Sequence, residues 1–266
     1  MQIVVGPNTL NVEMIPSSAP PSGWWKPSPA APIHWQWQIG TPFSYPGHVI
    51  PNVTVYDIDA FDTPKSVVDS LHALGCIVIA YFSFGTWEDW RPDASLFPAS
   101  VKGNNNGWPG EKWLDIRSET VKAIMADRLD MAVANGFDAV EPDNIDGYSN
   151  NSGFPLTASN QITYNRWIAQ QCHARGLSVG LKNDVDQMSQ LVGDFDWVLN
   201  EECNQYSECG NLSVFVNAGK AVFQCEYSGS YCSAMNAAHF NSMRRNLDLT
   251  ASGVRVPCIP DTQNHW

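Results

Sequence analysis

The strongest constraint on the fold is a series of short apolar runs that recur at intervals from residue 33 onward and are rich in β-branched and aromatic residues. Stretches with mixed helical spacing, each ending in glycine, separate several of these runs, at residues 63–75, 118–136, 157–176 and 236–253. Strands that alternate with helices must pair in parallel, because each helix returns the chain to the same end of the sheet. The runs predicted as strands are residues 34–40, 53–60, 76–85, 137–144, 177–184, 195–202, 221–227 and 254–260.

Eight such strands match the size of a single-domain (β/α)8 TIM barrel, an α/β fold. An open doubly wound sheet is the alternative, but no glycine-rich phosphate loop follows the first run, which disfavours it. The segment before the first run is rich in Pro and Ser. We therefore predict a tag remnant with a linker or stalk over residues 1–32, and one catalytic domain over residues 33–266.

Charge narrows the range of partners. The 266 residues carry 27 acids against 15 bases, a formal charge of −12. Nucleic acid and anionic membranes are therefore poor partners, whereas a cationic substrate would be attracted. Eleven Trp residues beside many carboxylates fit carbohydrate binding, because flat rings stack on sugar faces. No apolar run reaches the 18 residues or so that a membrane span requires.

The cysteines and sequons indicate an oxidising compartment. No C-x-x-C motif occurs, and two pairs are close enough in sequence for loop-closing disulfides, Cys203 with Cys209 and Cys225 with Cys232. At least one of the three others, Cys76, Cys172 and Cys258, must stay unpaired. Glycosylation sequons suit a secreted chain and occur at Asn52, Asn150 and Asn211.

The chain begins without a signal peptide, as a sequence trimmed of its leader would. We expect a secreted or cell-surface protein that acts as a monomer, and we leave open an N-terminal membrane anchor outside this sequence.

Acidic residues recur where the predicted strands end. A parallel barrel carries its chemistry at the carboxyl ends of its strands, so these side chains would converge on one rim. The alternative is that strand ends are polar only because turns follow them. The polar residues at these ends are Asp57, Asp59, Glu141, Asp143, Lys182, Asn183, Asp184, Asn200, Glu201, Glu202, Glu226 and Tyr227.

Two of these acids, Asp143 and Glu201, would face each other across the predicted barrel. A pair of carboxylates can split a glycosidic bond, one as proton donor and the other as nucleophile or base. Glu141 would be the neighbour that shifts a pKa, and Asp146, in the following loop, would be structural. Strand alternation leaves a rival: if polar residues line the barrel interior, Glu202 rather than Glu201 faces inward.

A metal site is the competing explanation for an acidic rim. The six His residues lie mostly in predicted helices and loops, and neither H-x-H nor H-E-x-x-H occurs. Zinc is therefore disfavoured, although calcium among the carboxylates stays open as an alternative. We predict no cofactor and no metal.

The motifs "WQWQIG", "VYDIDAFD", "IAYFSFGTWEDWRPD", "WLDIRS", "GFDAVEPDNIDGY", "GLKND" and "NEECNQYSEC", taken in order, resemble the glycoside hydrolase family of endo-α-1,4-polygalactosaminidases of the fungal secreted type. The resemblance covers residues 33–260 and implies a (β/α)8 barrel. It also implies cleavage of α-1,4-linked galactosamine in galactosaminogalactan, a partly deacetylated fungal exopolysaccharide. A free amino sugar is a cation near neutral pH, which agrees with the acidic composition.

The resemblance implies that Asp143 is the nucleophile and Glu201 the acid/base of a retaining mechanism. It implies substrate contacts or stacking from Asp57, Asp59, Tyr81, Lys182, Trp37, Trp87, Trp90 and Tyr148. We add to the predicted substrate contacts the neighbouring acids Glu141, Asp184, Glu202 and Glu226.

Each of these contacts has a structural alternative. Asp57 and Asp59 could cap the next helix, and Lys182 could only neutralise the catalytic acids in a buried network. Trp87 and Trp90 could form a packed helical turn.

Two other functions remain as alternatives. One is a catalytically silent barrel that binds cell-wall glycan, and the other is a chitosanase-like hydrolase acting on β-1,4-linked glucosamine. The sequence leaves the stereochemistry open, since retention requires carboxyl groups about 5 Å apart and inversion more than about 6.5 Å.

Overall fold

The computed structural model describes residues 23–266. Its strands are β1 (Trp35–Gln38), β2 (Val55–Asp59), β3 (Ile77–Ser83), β4 (Thr86–Glu88), β5 (Lys102–Asn105), β6 (Glu111–Leu114), β7 (Ala139–Asp143), β8 (Ser178–Lys182), β9 (Trp197–Glu201), β10 (Val222–Glu226), β11 (Asn241–Arg245) and β12 (Arg255–Pro257). Its α-helices are α1 (Lys65–Ala73), α2 (Glu119–Asn135), α3 (Ala158–Ala174), α4 (Met188–Leu191), α5 (Cys209–Asn217) and α6 (Cys232–Ala237).

One sheet contains nine of the strands. Eight of them run parallel in the order β1-β2-β3-β7-β8-β9-β10-β11, and β12 pairs antiparallel at the outer edge of β11. Seven of the predicted runs contain a parallel strand. The last predicted run, 254–260, was wrong as a parallel strand, because its strand β12 is antiparallel. The eighth parallel strand is instead β11, which lies inside the segment 236–253 that was predicted as a helix. Buried polar residues in β11, such as Asn241 and Ser242, hide its apolar alternation.

The two long helices follow their sequence signals. α2 begins after Ser118 and ends at Gly136, whose φ of 86° is the left-handed conformation that glycine adopts without strain. α3 begins at a capping box, in which the Thr157 hydroxyl accepts from the Asn160 amide. In both cases the terminal residues determine the bounds of the helix.

The sheet curls strongly. In sheet order β1 and β10 are six places apart, which in a flat sheet would separate them by roughly 29 Å. The rings of Trp35 on β1 and Phe223 on β10 are nevertheless only 5.0 Å apart. The indole of Trp35 also donates to the Asn241 carbonyl on β11 at 2.9 Å, so the side chain of Trp35 reaches the eighth parallel strand.

The concave face of this sheet is filled by apolar side chains, including Trp35, Trp197, Leu199 and Phe223. The convex face packs a second apolar layer beneath the helices. Glu201 shares its side of β9 with Trp197 and Leu199, so it lies on the concave side of the sheet. Polar residues also occupy that side, since Asp57 and Glu141 are each two residues on from a member of the apolar layer. Polarity of the interior therefore does not by itself favour Glu202.

A second, three-stranded antiparallel sheet, ordered β4-β6-β5, is inserted between β3 and α2. No strands were predicted for residues 86–114. At the other end of the chain, the Trp24 indole donates to Asp196 at 2.8 Å and the Pro27 carbonyl accepts from the Ala221 amide. Trp24 and Pro27 of the predicted linker therefore contact the part of the chain that follows it, while residues 1–22 lie outside the described residues.

Two disulfides are present. The predicted Cys203–Cys209 bond is confirmed, but the predicted Cys225–Cys232 bond was wrong, because Cys232 pairs with Cys258. Cys225 is buried and free, since its side chain points into the apolar concave layer of the sheet, whereas Cys232 begins α6 outside it. Sequence distance suggested the wrong partner because it does not show which face of a strand a side chain occupies.

Candidate active site

A cleft of about 610 Å³ lies beyond the carboxyl ends of the parallel strands. This volume is typical of small-molecule sites in proteins. Its lining residues on or directly after those strands include Trp37, Asp59, Tyr81, Asp143, Lys182, Asn183, Glu201, Tyr227 and Leu249. The eight-strand frame thus brings together side chains that are up to 212 residues apart in sequence, from Trp37 to Leu249.

Asp143, at the end of β7, is held as an ionised carboxylate. Its Oδ1 accepts from Lys182 Nζ at 2.8 Å and from the Asn144 amide at 2.8 Å, and its Oδ2 accepts from the Tyr81 hydroxyl at 2.9 Å. Burial alone would raise the pKa of Asp143, but the Lys182 charge and these hydrogen bonds outweigh it and lower the pKa below its usual range. An ionised carboxylate aimed into a cleft can act as a nucleophile.

Lys182, at the end of β8, is 2% exposed and links three carboxylates. Its Nζ lies 2.8 Å from Asp143, 2.9 Å from Glu141 and 3.3 Å from Glu201. Burial would lower the pKa of Lys182, but the three negative charges raise it well above its usual range. Lys182 therefore neutralises the acids around it, as the structural alternative expected. It also lines the cleft.

Glu201, at the end of β9, faces Asp143 across Lys182. Its Oε2 accepts from Asn183 Nδ2 at 3.1 Å, and its Oε1 accepts from the Tyr227 hydroxyl. Because Lys182 Nζ contacts both acids, Asp143 Oδ1 and Glu201 Oε2 are at most about 6.1 Å apart. Glu202 instead adopts φ 59° past the end of the strand and does not line the cleft.

Asp57 and Glu141 lie beneath the cleft and are fully buried. The Trp37 indole donates to Glu141 at 2.9 Å, whereas neither Asp57 oxygen has a hydrogen-bond partner among the described residues. Burial, and then the charge of Glu141, raise the pKa of Asp57 well above its usual range. Neither acid lines the cleft, and the substrate contacts expected from Asp57 and Glu141 stay a prediction.

Asp59 reaches the edge of the cleft but is engaged in two structural roles. Its Oδ1 accepts from the amides of Phe61 and Asp62, at 2.9 and 3.0 Å, which fixes the turn after β2. Its carboxylate also forms a bidentate pair with Arg91, at 3.0 and 2.7 Å. Asp59 therefore caps the turn after β2 through its amide contacts, which is close to the helix-capping alternative. With the Arg91 pair added, few acceptor positions of the Asp59 carboxylate remain for a substrate.

Three other predicted acids lie away from the cleft lining. Asp184 is 3% exposed and accepts from Asn165, and burial, followed by the charge of Asp146, raises its pKa to about 8. Glu226 accepts from the Asn204 amide at 2.9 Å. Like Glu202, these two acids do not line the cleft, and the expectation that the three bind substrate stays a prediction.

The predicted stacking residues separate in the same way. Trp90 is 52% exposed and lines the cleft. Trp87 does not line the cleft. Its ring packs against Lys102, whose Nζ lies 3.9 Å from the ring centre, and its indole donates to the Ala94 carbonyl. The helical-turn alternative was also wrong, since Trp87 is in strand β4. Tyr148 lies outside the lining, and burial, then the charge of Asp184, raise its pKa to about 12.

Several lining residues were missed. Trp108, Glu111 and Trp113 come from the inserted sheet, and the turn-rich string "NNNGWPGEKW" that contains them was the available signal. Tyr227 was noted only as a strand end, yet it donates to a predicted catalytic acid. Asp146, expected to be structural, lines the cleft, and burial, followed by the charge of Asp143, raises its pKa to about 6.

The predicted sequons all lie on the surface. Asn52, Asn150 and Asn211 are exposed, and Asn150 lies at the rim of the cleft. Within residues 23–266, no group of three or more His, Cys, Asp or Glu side chains is arranged to hold a metal. The described helices include none that is both long and apolar enough to cross a membrane.

Comparisons with known proteins agree with this geometry. Ega3 of Aspergillus fumigatus, solved in complex with galactosamine, superposes with a TM-score of 0.79 at 37% identity, over 87% of this chain and 97% of that one. The glycoside hydrolase domain of PelA from Pseudomonas aeruginosa has the same fold, with a TM-score of 0.67 at 13% identity over 84% and 98% of the two chains. An uncharacterised protein of Deinococcus radiodurans is 25% identical over 267 residues, which cover 87% of this chain and 82% of that protein.

The sequence profile of a single family matches nearly the whole chain. The profile of glycoside hydrolase family GH114 covers residues 15–263, which include every residue named above as lining the cleft. The cleft, its two facing carboxylates and this match lead to one conclusion. The chain belongs to glycoside hydrolase family GH114 and is a glycosidase.

Proposed function

We propose that the protein is an endo-acting glycosidase that cleaves α-1,4-linked galactosamine in a cationic polymer such as galactosaminogalactan. The observation that carries this proposal is the Asp143–Lys182–Glu201 group in the cleft of a chain 37% identical to Ega3, whose solved complex holds galactosamine. The formal charge of −12 supports a cationic substrate, because a protonated amino sugar would be attracted to the cleft.

Asp143 acts as the nucleophile in this proposal. Its carboxylate oxygen bonds to the anomeric carbon while the glycosidic C–O bond breaks, and the departing oxygen takes a proton from Glu201. A water molecule then gives a proton to Glu201, and its oxygen displaces Asp143 from the anomeric carbon. Lys182 and Tyr81 hold Asp143 in place through hydrogen bonds of 2.8 and 2.9 Å.

The separation of the two acids supports retention of the anomeric configuration. The upper limit of about 6.1 Å between Asp143 Oδ1 and Glu201 Oε2 lies below the range of about 6.5–9.5 Å that inverting enzymes use. An inverting enzyme needs that larger gap to place a water between the acid and the sugar. NMR of the first product formed would show the α-anomer for retention.

Matched variants test the assignment. We expect Asp143→Asn and Glu201→Gln each to lower the release of short oligosaccharides from an α-1,4-galactosamine polymer by at least about 10³-fold. Glu202→Gln is the control, because it removes the adjacent charge outside the cleft. Melting temperatures within a few degrees of wild type would show that the fold is intact. Full activity in both Asp143→Asn and Glu201→Gln would contradict the proposal.

The same assay separates the alternatives. A glycan-binding protein without activity would bind the polymer saturably and release no new reducing ends. A chitosanase would digest β-1,4-linked glucosamine in preference to the α-1,4-linked galactosamine polymer. Glu201 and Asp143 in one cleft favour a hydrolase, since a lectin has no need for the pair.

We also propose that the eight parallel strands form a closed (β/α)8 barrel and that residues 33–266 form one catalytic domain. The Trp35–Asn241 bond and the 2.8 Å bond from Arg245 to Gln36 support closure between β1 and β11. Two disulfides support a secreted or cell-surface location. We propose a monomer, which size-exclusion chromatography with light scattering would test.

A further inference from the structure

The inserted sheet turns one face toward the cleft. β4 and β6 pair antiparallel with Glu88 directly opposite Glu111 and Thr86 directly opposite Trp113. Residues two apart on a strand share a face, so these four side chains lie on the same side of the sheet. Glu88, Glu111 and Trp113 all line the cleft. We call this side, formed by Thr86, Glu88, Glu111 and Trp113, the insert face.

Two carboxylates directly opposite each other on neighbouring strands repel, which destabilises a sheet. Glu88 has a cationic partner, because Arg91 donates to its Oε1 at 2.8 Å. Glu111 has only neutral partners, since its Oε2 accepts from the Thr86 hydroxyl at 3.0 Å and from Asn106 Nδ2 at 2.6 Å. Among residues 23–266, Glu111 Oε1 has no hydrogen-bond donor, although the residue is only partly exposed.

The two neighbouring cations are taken up by other carboxylates. Arg91 is shared between Glu88 and the bidentate pair with Asp59, and Arg128 is shared between Asp93, at 2.7 and 3.1 Å, and Glu88 Oε2, at 3.6 Å. Glu111 is therefore the carboxylate of the insert face that has no cationic partner among residues 23–266. Burial, followed by the charge of Glu88, raises the pKa of Glu111 to about 7, which a cation bound beside it would lower.

Flat aromatic surface lies beside this uncompensated charge. Trp108 is 50% exposed, and Trp90 is 52% exposed, although both line the cleft. Asn106 joins the two features, because its Oδ1 accepts from the Trp108 amide at 3.0 Å while its Nδ2 donates to Glu111. An exposed ring next to an acceptor that lacks a cation suits a sugar that carries an ammonium group.

We propose that the insert face is a binding subsite for a second amino sugar of the polymer, away from the bond that is cleaved. The sugar's ammonium group donates to the Glu111 carboxylate, and its ring stacks on Trp108. This inference rests on the proposed function, because it takes the substrate to be a polymer of amino sugars. In this subsite Glu111, and not Asp143, distinguishes a free amine from an N-acetyl group, since an N-acetyl group carries no charge to pair with Glu111.

Glu111→Gln tests the subsite with little change in shape. The Gln carbonyl oxygen can still accept from Thr86 and Asn106, but the negative charge is lost. On the α-1,4-galactosamine polymer we expect KM to rise about tenfold and kcat to change less than twofold. The preference for this polymer over a chemically N-acetylated sample should fall by a similar factor. Glu119→Gln, an equal change of charge on the exposed start of α2, is the control and should leave both values as in wild type.

Stability separates binding from a structural role. Because Glu111→Gln removes the repulsion with Glu88, its Tm should equal or exceed that of wild type, whereas a structural carboxylate would leave the Tm lower. A variant with wild-type KM and unchanged preference for the free amine would overturn the subsite.

A binding measurement keeps this inference distinct from the proposed function. In the Asp143→Asn background, calorimetry with α-1,4-galactosamine oligosaccharides should show about tenfold weaker binding when Glu111→Gln or Trp108→Ala is added. If the wild-type protein fails to cleave the polymer but these additions weaken binding, the proposed function fails and the subsite stands. If cleavage occurs and the additions leave binding unchanged, the subsite fails alone.

Discussion

Replacing Lys182 by Met tests the electrostatic design of the site most directly. The side chain is nearly isosteric, so the main change is the loss of one buried charge within 3.3 Å of three carboxylates. Removing one partner from a buried ion pair typically costs about 3–5 kcal/mol of unfolding free energy, because the other charge stays buried and unpaired. For a domain of this size we expect Tm at pH 7 to fall by about 10 °C.

The pH dependence of that loss is specific to the mechanism. Without Lys182, burial and mutual repulsion place the pKa values of Asp143 and Glu141 above the unfolded values of about 4. The folded variant then binds more protons than the unfolded chain, so its stability falls as pH rises from about 4. In wild type the pKa of Asp143 is lowered, so its contribution is present above pH 4 and is lost only as the pH falls.

Differential scanning calorimetry from pH 5 to pH 8 measures both effects. The gap in Tm between wild type and Lys182→Met should widen steadily as the pH increases. Lys220→Met is the matched control, because Lys220 donates only to the Val192 and Phe195 carbonyls, and its cost should be nearly independent of pH. A Lys182→Met protein with a small loss of Tm that is constant with pH would refute the reasoning.

Two buried acids give the remaining predictions. Burial and the charge of Glu141 raise the pKa of Asp57, so the neutral and nearly isosteric Asp57→Asn should cost less than about 1.5 kcal/mol in urea unfolding; a loss of about 3 kcal/mol or more would contradict a raised pKa. Asp184 has a folded pKa of about 8 against an unfolded value of about 3.9, so its contribution makes wild type less stable as pH rises between those values. Asp184→Asn should therefore flatten the dependence of Tm on pH between 5 and 8, and an unchanged slope would exclude Asp184 as its source.

The sequence determined the local elements and the rim they create. Helices α2 and α3 and seven parallel strands follow from hydrophobic period, from the Thr157 cap of α3 and from the glycine at the end of α2, which act within a few residues. Because parallel strands share one carboxyl end, the same pattern was enough to place Asp143, Lys182 and Glu201 near each other.

The sequence could not show which polar side chains face the cleft. Glu201 and Glu202 are adjacent, yet of the two only Glu201 lines the cleft, because β9 ends at Glu201 and Glu202 adopts φ 59° in the following turn. Asp57 is an acid at a strand end, which is why it was expected to contact substrate, but its side chain is fully buried. Burial and facing depend on residues far away in sequence, which no local pattern encodes.

Tertiary structure alone decided the remaining features. The pairing of Cys232 with Cys258 depends on α6 and the segment after β12 meeting outside the sheet. The insert face exists only because β4 and β6 set Glu88 opposite Glu111 beside the rim of the large sheet. Local periodicity specifies each strand, but the contacts between strands set the charges that a substrate meets, because electrostatic energy depends on distance in space and on burial.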